Sequence, residues 1–337
     1  MEPLVFEPFL RPQLWGGQRL AHFGKELPSA EALIGESWEL SGHPLHVSHV
    51  AQGPLAGRPL SELWARNRVA IAGPRYHGPD RFPLLVKLLN CEEPLSVQVH
   101  PGDADSKRLG LADPGKCEAW VVLEASENAQ LDAGIKDGVD RAELERRLRD
   151  GSVDECLNHL TPEVGDCLYL PSGTVHSARG GVVLVEIQPA SDSTFRLFDW
   201  NRLDAQGQAR PLHPDKGLSV IDWSLGPLGF VVSATTLPLA SGAMMTPLLK
   251  TPKFQLNRYD LKRAYSPRDL AGRLVAWVVI DGVVELRSAT SLQTLPLSRG
   301  QTVLVPASAG AVEWTPTGKS VSLLAVTLGP QYEAVAS

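Results

Sequence analysis

Gln98 and His100 stand two residues apart in the run Leu95-Ser96-Val97-Gln98-Val99-His100, so an extended chain points both to one face. Glu118 lies in a second run, Lys116-Cys117-Glu118-Ala119-Trp120-Val121-Val122-Leu123, and shares its face with Lys116. His176 follows the turn Pro171-Ser172-Gly173-Thr174, inside a Gly165-x5-Pro171-x-Gly173-x2-His176 pattern. Two imidazole nitrogens and two oxygens brought to one point make an N2O2 donor set, suited to a borderline divalent ion such as zinc. Any one of these residues alone reads more simply as a hydrogen-bonded core group. The expectation of a metal rests on the four together.

Strands must hold these groups. The segments Phe82–Leu89 and Leu95–His100 have β character on both sides of the Glu92-Glu93-Pro94 break, and most of the first two thirds reads as short strands punctuated by Gly and Pro. Leu60–Ile71 has apolar residues at helical spacing. Arg141–Arg149 opens after Asp140, a good N-cap, and closes before Gly151. A second short helix is expected around Ser152–Leu160. This helical excursion, residues 139–160, interrupts a β barrel that resumes at Gly165.

All nine histidines occur at or before His213, so imidazole chemistry is confined to the earlier part of the chain. Later, Val275–Leu286 crosses Asp281-Gly282, a hairpin signal. Gly300-x5-Pro306 repeats the spacing of Gly165-x5-Pro171 with no histidine after it. With the Pro- and Gly-rich junction at Leu225–Gly229, the expected division is a metal-binding unit over 1–228 and a metal-free β unit over 229–337. His43, His46 and His49 form a rival cluster, but a spacing of three alternates faces in an extended chain and Pro44 disfavours a helix. They read as scattered.

A chain of 337 residues, 43% hydrophobic and 21% charged, has ordinary globular composition. Its net charge of -6 argues against a nucleic-acid partner, although a few local cations suffice to hold one phosphate. No secretory signal is visible at Met1–Glu7, and the apolar stretch Leu274–Ile280 is too short to span a bilayer. Cys91, Cys117, Cys156 and Cys167 lack zinc-finger or dithiol spacing and read as reduced, packed thiols. A cytoplasmic location is expected, with no membrane partner and a monomeric or weakly self-associating state.

The Gly165 to His176 segment resembles the second cupin motif, though the Asn often found after it is absent. The first cupin motif usually carries His-x-His, and here it reads Gln98-x-His100. That replacement, within Pro94-Leu95-Ser96-Val97-Gln98-Val99-His100-Pro101, resembles the type I mannose-6-phosphate isomerases of the cupin superfamily. The likeness extends through Trp15-Gly16-Gly17, Ile34-Gly35-Glu36-Ser37-Trp38-Glu39, Gly115-Lys116-Cys117-Glu118-Ala119-Trp120 and Asp192-Ser193-Thr194-Phe195-Arg196, covering most of residues 1–202. The short helical excursion is like the compact bacterial members. Ser177-Ala178-Arg179 lacks the Tyr of fungal relatives, which leaves the exact sugar open.

The resemblance implies a mostly β fold: a jelly-roll cupin barrel with a small helical insertion, and a second, degenerate cupin-like β domain without metal. It implies one zinc per chain, held by Gln98, His100, Glu118 and His176. It also implies substrate contacts from Lys87, Ser96 and Arg202, catalytic roles for Lys116 and Arg196, and a sugar phosphate as substrate. Isomerisation moves a proton between C1 and C2 through an enediolate, which a divalent metal and a permanent cation such as Arg196 stabilise. The base stays open among Lys116, a zinc-bound hydroxide and another carboxylate. Two other classes compete: an iron-dependent cupin oxygenase, disfavoured by Gln98 in place of His, and a non-catalytic sugar-binding or regulatory cupin, disfavoured by the presence of Lys116 and Arg196.

Overall fold

Leu84–Cys91 and Val182–Pro189 are apolar on both faces apart from a few charged or amide side chains, the pattern of strands covered on both sides. In the computed structural model, which describes residues 1–233, 235–291 and 293–334, these two strands pair along their full length. They lie at the centre of a seven-stranded antiparallel sheet that runs Cys167–Leu170, Glu118–Ala125, Val182–Pro189, Leu84–Cys91, Ile34–His43, Phe9–Gly17, with His46–Val47 paired to Ile34–His43. A five-stranded sheet faces it, in the order Phe195–Phe198, Val97–Val99, His176–Arg179, Gln130–Ile135, Leu157–Leu160. Leu89, Trp120 and Leu184 of the first sheet pack with Leu131, Ala133 and Ala178 of the second, which closes a cupin-type barrel.

The later chain builds a second pair of sheets. One has seven strands and includes Val275–Asp281, Val321–Leu328 and Phe254–Leu261; the other has three. Trp277 and Trp314, with ring centroids 4.9 Å apart, fill the space between them with Val279, Tyr259 and Leu286. The outer face of this larger sheet, through Phe254, Ala276, Val278 and Val326, packs against Val86, Leu88, Val121 and Val185 on the back of the first barrel. The two barrels therefore share a sheet-on-sheet core, and the site-bearing strands have a rigid backing. No helix of the described residues is long and apolar enough to cross a membrane.

Several expectations change in detail. The first strand, Leu4–Val5, pairs with Thr302–Val305 in the far sheet, so the chain's opening residues belong with a sheet expected to form from residue 229 onward. Residues 335–337 of that expected unit lie outside the described residues. Asp281-Gly282 makes no hairpin: the two strands it joins lie in different sheets, because Gly282 at φ +84 turns a corner. The Leu60–Ala72 and Arg141–Asp150 helices form, and the Asp140 carboxylate accepts the Glu143 N–H at 2.8 Å. The second short helix shrinks to one 3-10 turn, Val153–Cys156, and Leu157–Leu160 instead joins the five-stranded sheet. Edge pairing with Gln130–Ile135 satisfies its backbone in place of helical bonds.

The paired Gly-x5-Pro segments have a common geometry. Gly165 and Gly300 both adopt positive φ, +95 and +87, and each opens a short strand. The repeat is a turn device, and only the first copy is followed by a ligand-type residue.

Candidate active site

Strand register brings the site together. His176 is opposite Gln98 across one antiparallel pair, and Arg196 is opposite Gln98 across the other. Glu118 opens its strand on the facing sheet and points into the same space. The turn before His176 requires Gly173, which sits at φ +87 against Asp222 and donates its N–H to the His100 carbonyl at 2.8 Å.

His100 Nε2 lies 3.1 Å from one Glu118 oxygen, and His176 Nε2 lies 3.6 Å from the other. The Gln98 amide is 3.2 Å from His176 Nε2. Ligand atoms about 2.0–2.1 Å from a tetrahedral zinc stand roughly 3.3 Å apart, so the His100, Glu118 and His176 separations match three donors around one ion, with the Gln98 amide beside them. Both Glu118 oxygens and His100 Nε2 are buried and make no hydrogen bond of good angle, although neighbours lie within contact distance. Such atoms converge on a common point instead of bonding one another. The Nδ1 atoms face backbone carbonyls, His100 to Ser193 at 3.0 Å and His176 to Thr174 at 2.9 Å, which turns each Nε2 lone pair toward the centre, where that of His176 meets the Gln98 amide nitrogen.

Electrostatics agree. Burial, reinforced by Lys116, brings His100 down to about 3, so it is a neutral donor. Burial also lowers His176, against the pull of Glu118. For Glu118 burial pushes upward, but Lys116 and then His100 outweigh it and hold the carboxyl well below its ordinary range. Two neutral imidazoles, an ionised carboxylate and an amide are the donor set a divalent cation needs. The residues fit.

Lys116 Nζ stands 2.7 Å from Glu118 Oε1 and is almost fully buried. Ser96 Oγ donates to Gln98 Oε1 at 3.4 Å. A cleft of about 330 Å³ opens over these groups, lined also by Lys87, Glu186, Asp192, Arg196 and Arg210. Lys87 Nζ is 2.8 Å from Glu186 and 3.7 Å from Glu36, over the Trp38 ring at 5.2 Å. It is committed to buried carboxylates. Arg196 donates to the Pro211 carbonyl at 2.9 Å, and its Nε is buried without a partner. Burial and the nearby Arg210 draw Arg196 below its usual value, a cost that an anionic ligand relieves.

Arg202 is the expected site residue that the structure keeps away from the lining. It donates to the Pro94 carbonyl and to Asp199, both at 2.7 Å. The cause is local: Trp200 and Asn201 both adopt left-handed backbone, φ 55 and 53, and fold Arg202 back on Asp199. Asp199 also takes a two-nitrogen contact from Arg210, which does line the cleft. Arg210, Glu186, Glu36 and Arg11 are lining residues that the sequence reading missed. Glu186 had a signal, since it is the one charge in a largely apolar, fully buried strand. Burial, and then Glu118, raise its carboxyl above the ordinary range.

The rival histidines do not converge: His43 meets Asp113 at 2.9 Å, while His46 stacks on Phe9 at 3.9 Å. Among the described residues a second group, Asp132, Asp154 and His159, has metal-like spacing. The Arg179 guanidinium lies 2.6 Å from Asp154 and 3.8 Å from Asp132, so a cation already occupies that position.

The chain matches the family described as phosphomannose isomerase type I, catalytic domain, over residues 5–119. It is 33% identical over 309 residues to the mannose-6-phosphate isomerase ManA of Bacillus subtilis, covering 92% of this chain and 94% of that protein. The crystal structure of the mannose 6-phosphate isomerase from Bacillus subtilis superposes with a TM-score of 0.86 at 30% identity, covering 97% of this chain and 99% of that one. A zinc-bound mannose 6-phosphate isomerase shares the fold at a TM-score of 0.73 and 16% identity, over 98% of this chain and all of that one.

Proposed function

The chain belongs to the type I phosphomannose isomerase family, and from that premise we propose that it is a zinc-dependent enzyme interconverting mannose 6-phosphate and fructose 6-phosphate. The observation that carries this reading is the convergence of His100, Glu118 and His176 beneath a cleft lined by Lys116 and Arg196. Gln98, His100, Glu118 and His176 would hold the zinc. When bound, the metal supplies Lewis acidity at the sugar oxygens.

The chain's own residues do the rest. Arg196, a permanent cation with an unpartnered buried nitrogen, balances charge that develops on the enediolate. Lys116 forms an ion pair with Glu118 and its ammonium lines the cleft. Glu186 is a buried carboxylate in the same cleft, its carboxyl raised by burial and Glu118, and it is the carboxylate placed to carry a proton between neighbouring carbons. Arg210 adds a second cation to the Arg196 side, where a phosphate gains most. Aldose–ketose exchange asks for these parts: a held oxygen pair, a mobile proton and a fixed positive charge.

The test is a coupled assay of mannose 6-phosphate isomerisation before chelation, after it, and with zinc added back. Activity that disappears with the metal and returns with zinc supports the proposal. A zinc-restored protein that binds the sugar phosphate without turning it over would sink it.

A further inference from the structure

The second barrel reaches the reactive strand through one side chain. Lys253 lies on the turn between the Met244–Lys250 and Phe254–Leu261 strands and is only 8% exposed. Its Nζ donates to Asp103 Oδ1 at 2.6 Å and to the Gly115 carbonyl at 3.0 Å. The same Asp103 oxygen accepts the Gly115 N–H at 2.8 Å. Ammonium and carboxylate together thus occupy both backbone polar groups of Gly115.

Gly115 is also confined by packing, since a Cβ there would come within 2.2 Å of the Asp103 backbone nitrogen. The next residue is Lys116. Its N–H donates to the Pro101 carbonyl at 2.9 Å, and its carbonyl accepts from Ser172 Oγ at 2.8 Å. The position of the Lys116 ammonium beside Glu118 therefore depends on a peptide held from the other barrel. Burying an ammonium is unfavourable unless it is fully partnered. An apolar side chain would fill that seam without such a cost, so the charge serves the contact with Gly115 and Asp103.

We propose that Lys253 is a positioning residue for the isomerisation, fixing the backbone at Gly115 so that Lys116 meets Glu118 and the sugar in one place. This rests on the isomerase reading above. It gives the second barrel a part in turnover that its aromatic-filled interior, without histidine, does not play.

The experiment compares Lys253→Met and Lys253→Arg with the unaltered full chain, each zinc-loaded. Lys253→Met is expected to lower kcat about tenfold or more, since small displacements of a reacting group are that damaging. KM for mannose 6-phosphate is expected to stay within about twofold, because binding contacts are intact. Zinc stays at one per chain, Lys253→Arg restores most of kcat, and hydrogen exchange over residues 112–118 speeds up in Lys253→Met. On a Lys116→Ala background, Lys253→Met should cost nothing further in kcat.

Unchanged kcat and exchange in Lys253→Met overturn the proposal, as does a fall in kcat that merely follows lost zinc or lost folded protein. Should Lys253→Met not fold, Asp103→Asn, whose side chain is about half exposed, replaces it with the same expectations. If the unaltered protein does not turn over the sugar phosphate, the isomerase reading fails, and the exchange data alone decide whether Lys253 holds Gly115.

Discussion

Gln98 and His176 face each other across two antiparallel strands, with the Gln98 amide 3.2 Å from His176 Nε2. The register that makes them neighbours is fixed by the barrel's interior packing, so the donor set is built into the sheet and not into a mobile loop. As proposed ligands the two would contribute unequally, since an amide is a weaker metal donor than an imidazole.

His176→Ala should therefore lose zinc and turnover together, whereas Gln98→Ala should lose less of each. Metal analysis after dialysis, set beside the coupled assay, checks both. Full zinc in a dead His176→Ala protein would show that His176 is not a ligand.

Arg196→Ala should keep its zinc and lose turnover by about 100-fold or more, the scale of removing one charge-stabilising donor from a preorganised site. The measurement is kcat at equal zinc occupancy. Normal turnover would refute the role given to Arg196.

Lys87 is a clamp between buried carboxylates. Burial opposes its charge, but Glu186 and Glu36 raise it above its ordinary value. Lys87→Met should destabilise the fold by about 3–5 kcal/mol, because it leaves Glu186 buried without its cation, while Glu36 keeps only the Arg11 ion pair. Urea unfolding gives the figure, and adding Glu186→Gln should recover part of the loss.

The metal-free protein should weaken in acid. His100 has a folded pKa of about 3, below its value in the unfolded chain, so the unfolded state binds the extra proton first. Stability conferred by the neutral imidazole is complete above about pH 6.5 and is lost progressively below that, until the folded pKa is reached. Glu118, also lowered, adds a loss of the same sign at still lower pH. Thermal melts of chelated protein across this range should show the decline, and His100→Gln should flatten its upper part. Melts indifferent to pH would contradict the neutral, buried state of His100.

Legibility followed the range of the interaction. Gln98 with His100, and Lys116 with Glu118, were readable because a period of two within one strand fixes a shared face. The capped helix at Asp140 was readable for the same local reason. The direction of Arg202 was not legible, because it depends on two left-handed residues, Trp200 and Asn201, neither of which is glycine. Arg210 reaches the cleft only through Asp199, a side-chain contact that no spacing rule records. The Asp281-Gly282 corner carries a hairpin's sequence but joins two sheets, since tertiary packing and not turn chemistry selects the partner strand.

The pairing of Leu4–Val5 with Thr302–Val305 has a kinetic consequence. Almost the whole chain must be synthesised before its second sheet can gain this edge strand, so sheet completion is a late event on the ribosome. Contacts so distant in sequence raise the loop entropy lost at the transition state and slow folding. Until then Leu4–Val5 waits without its partner strand, an unpaired apolar segment on the nascent protein.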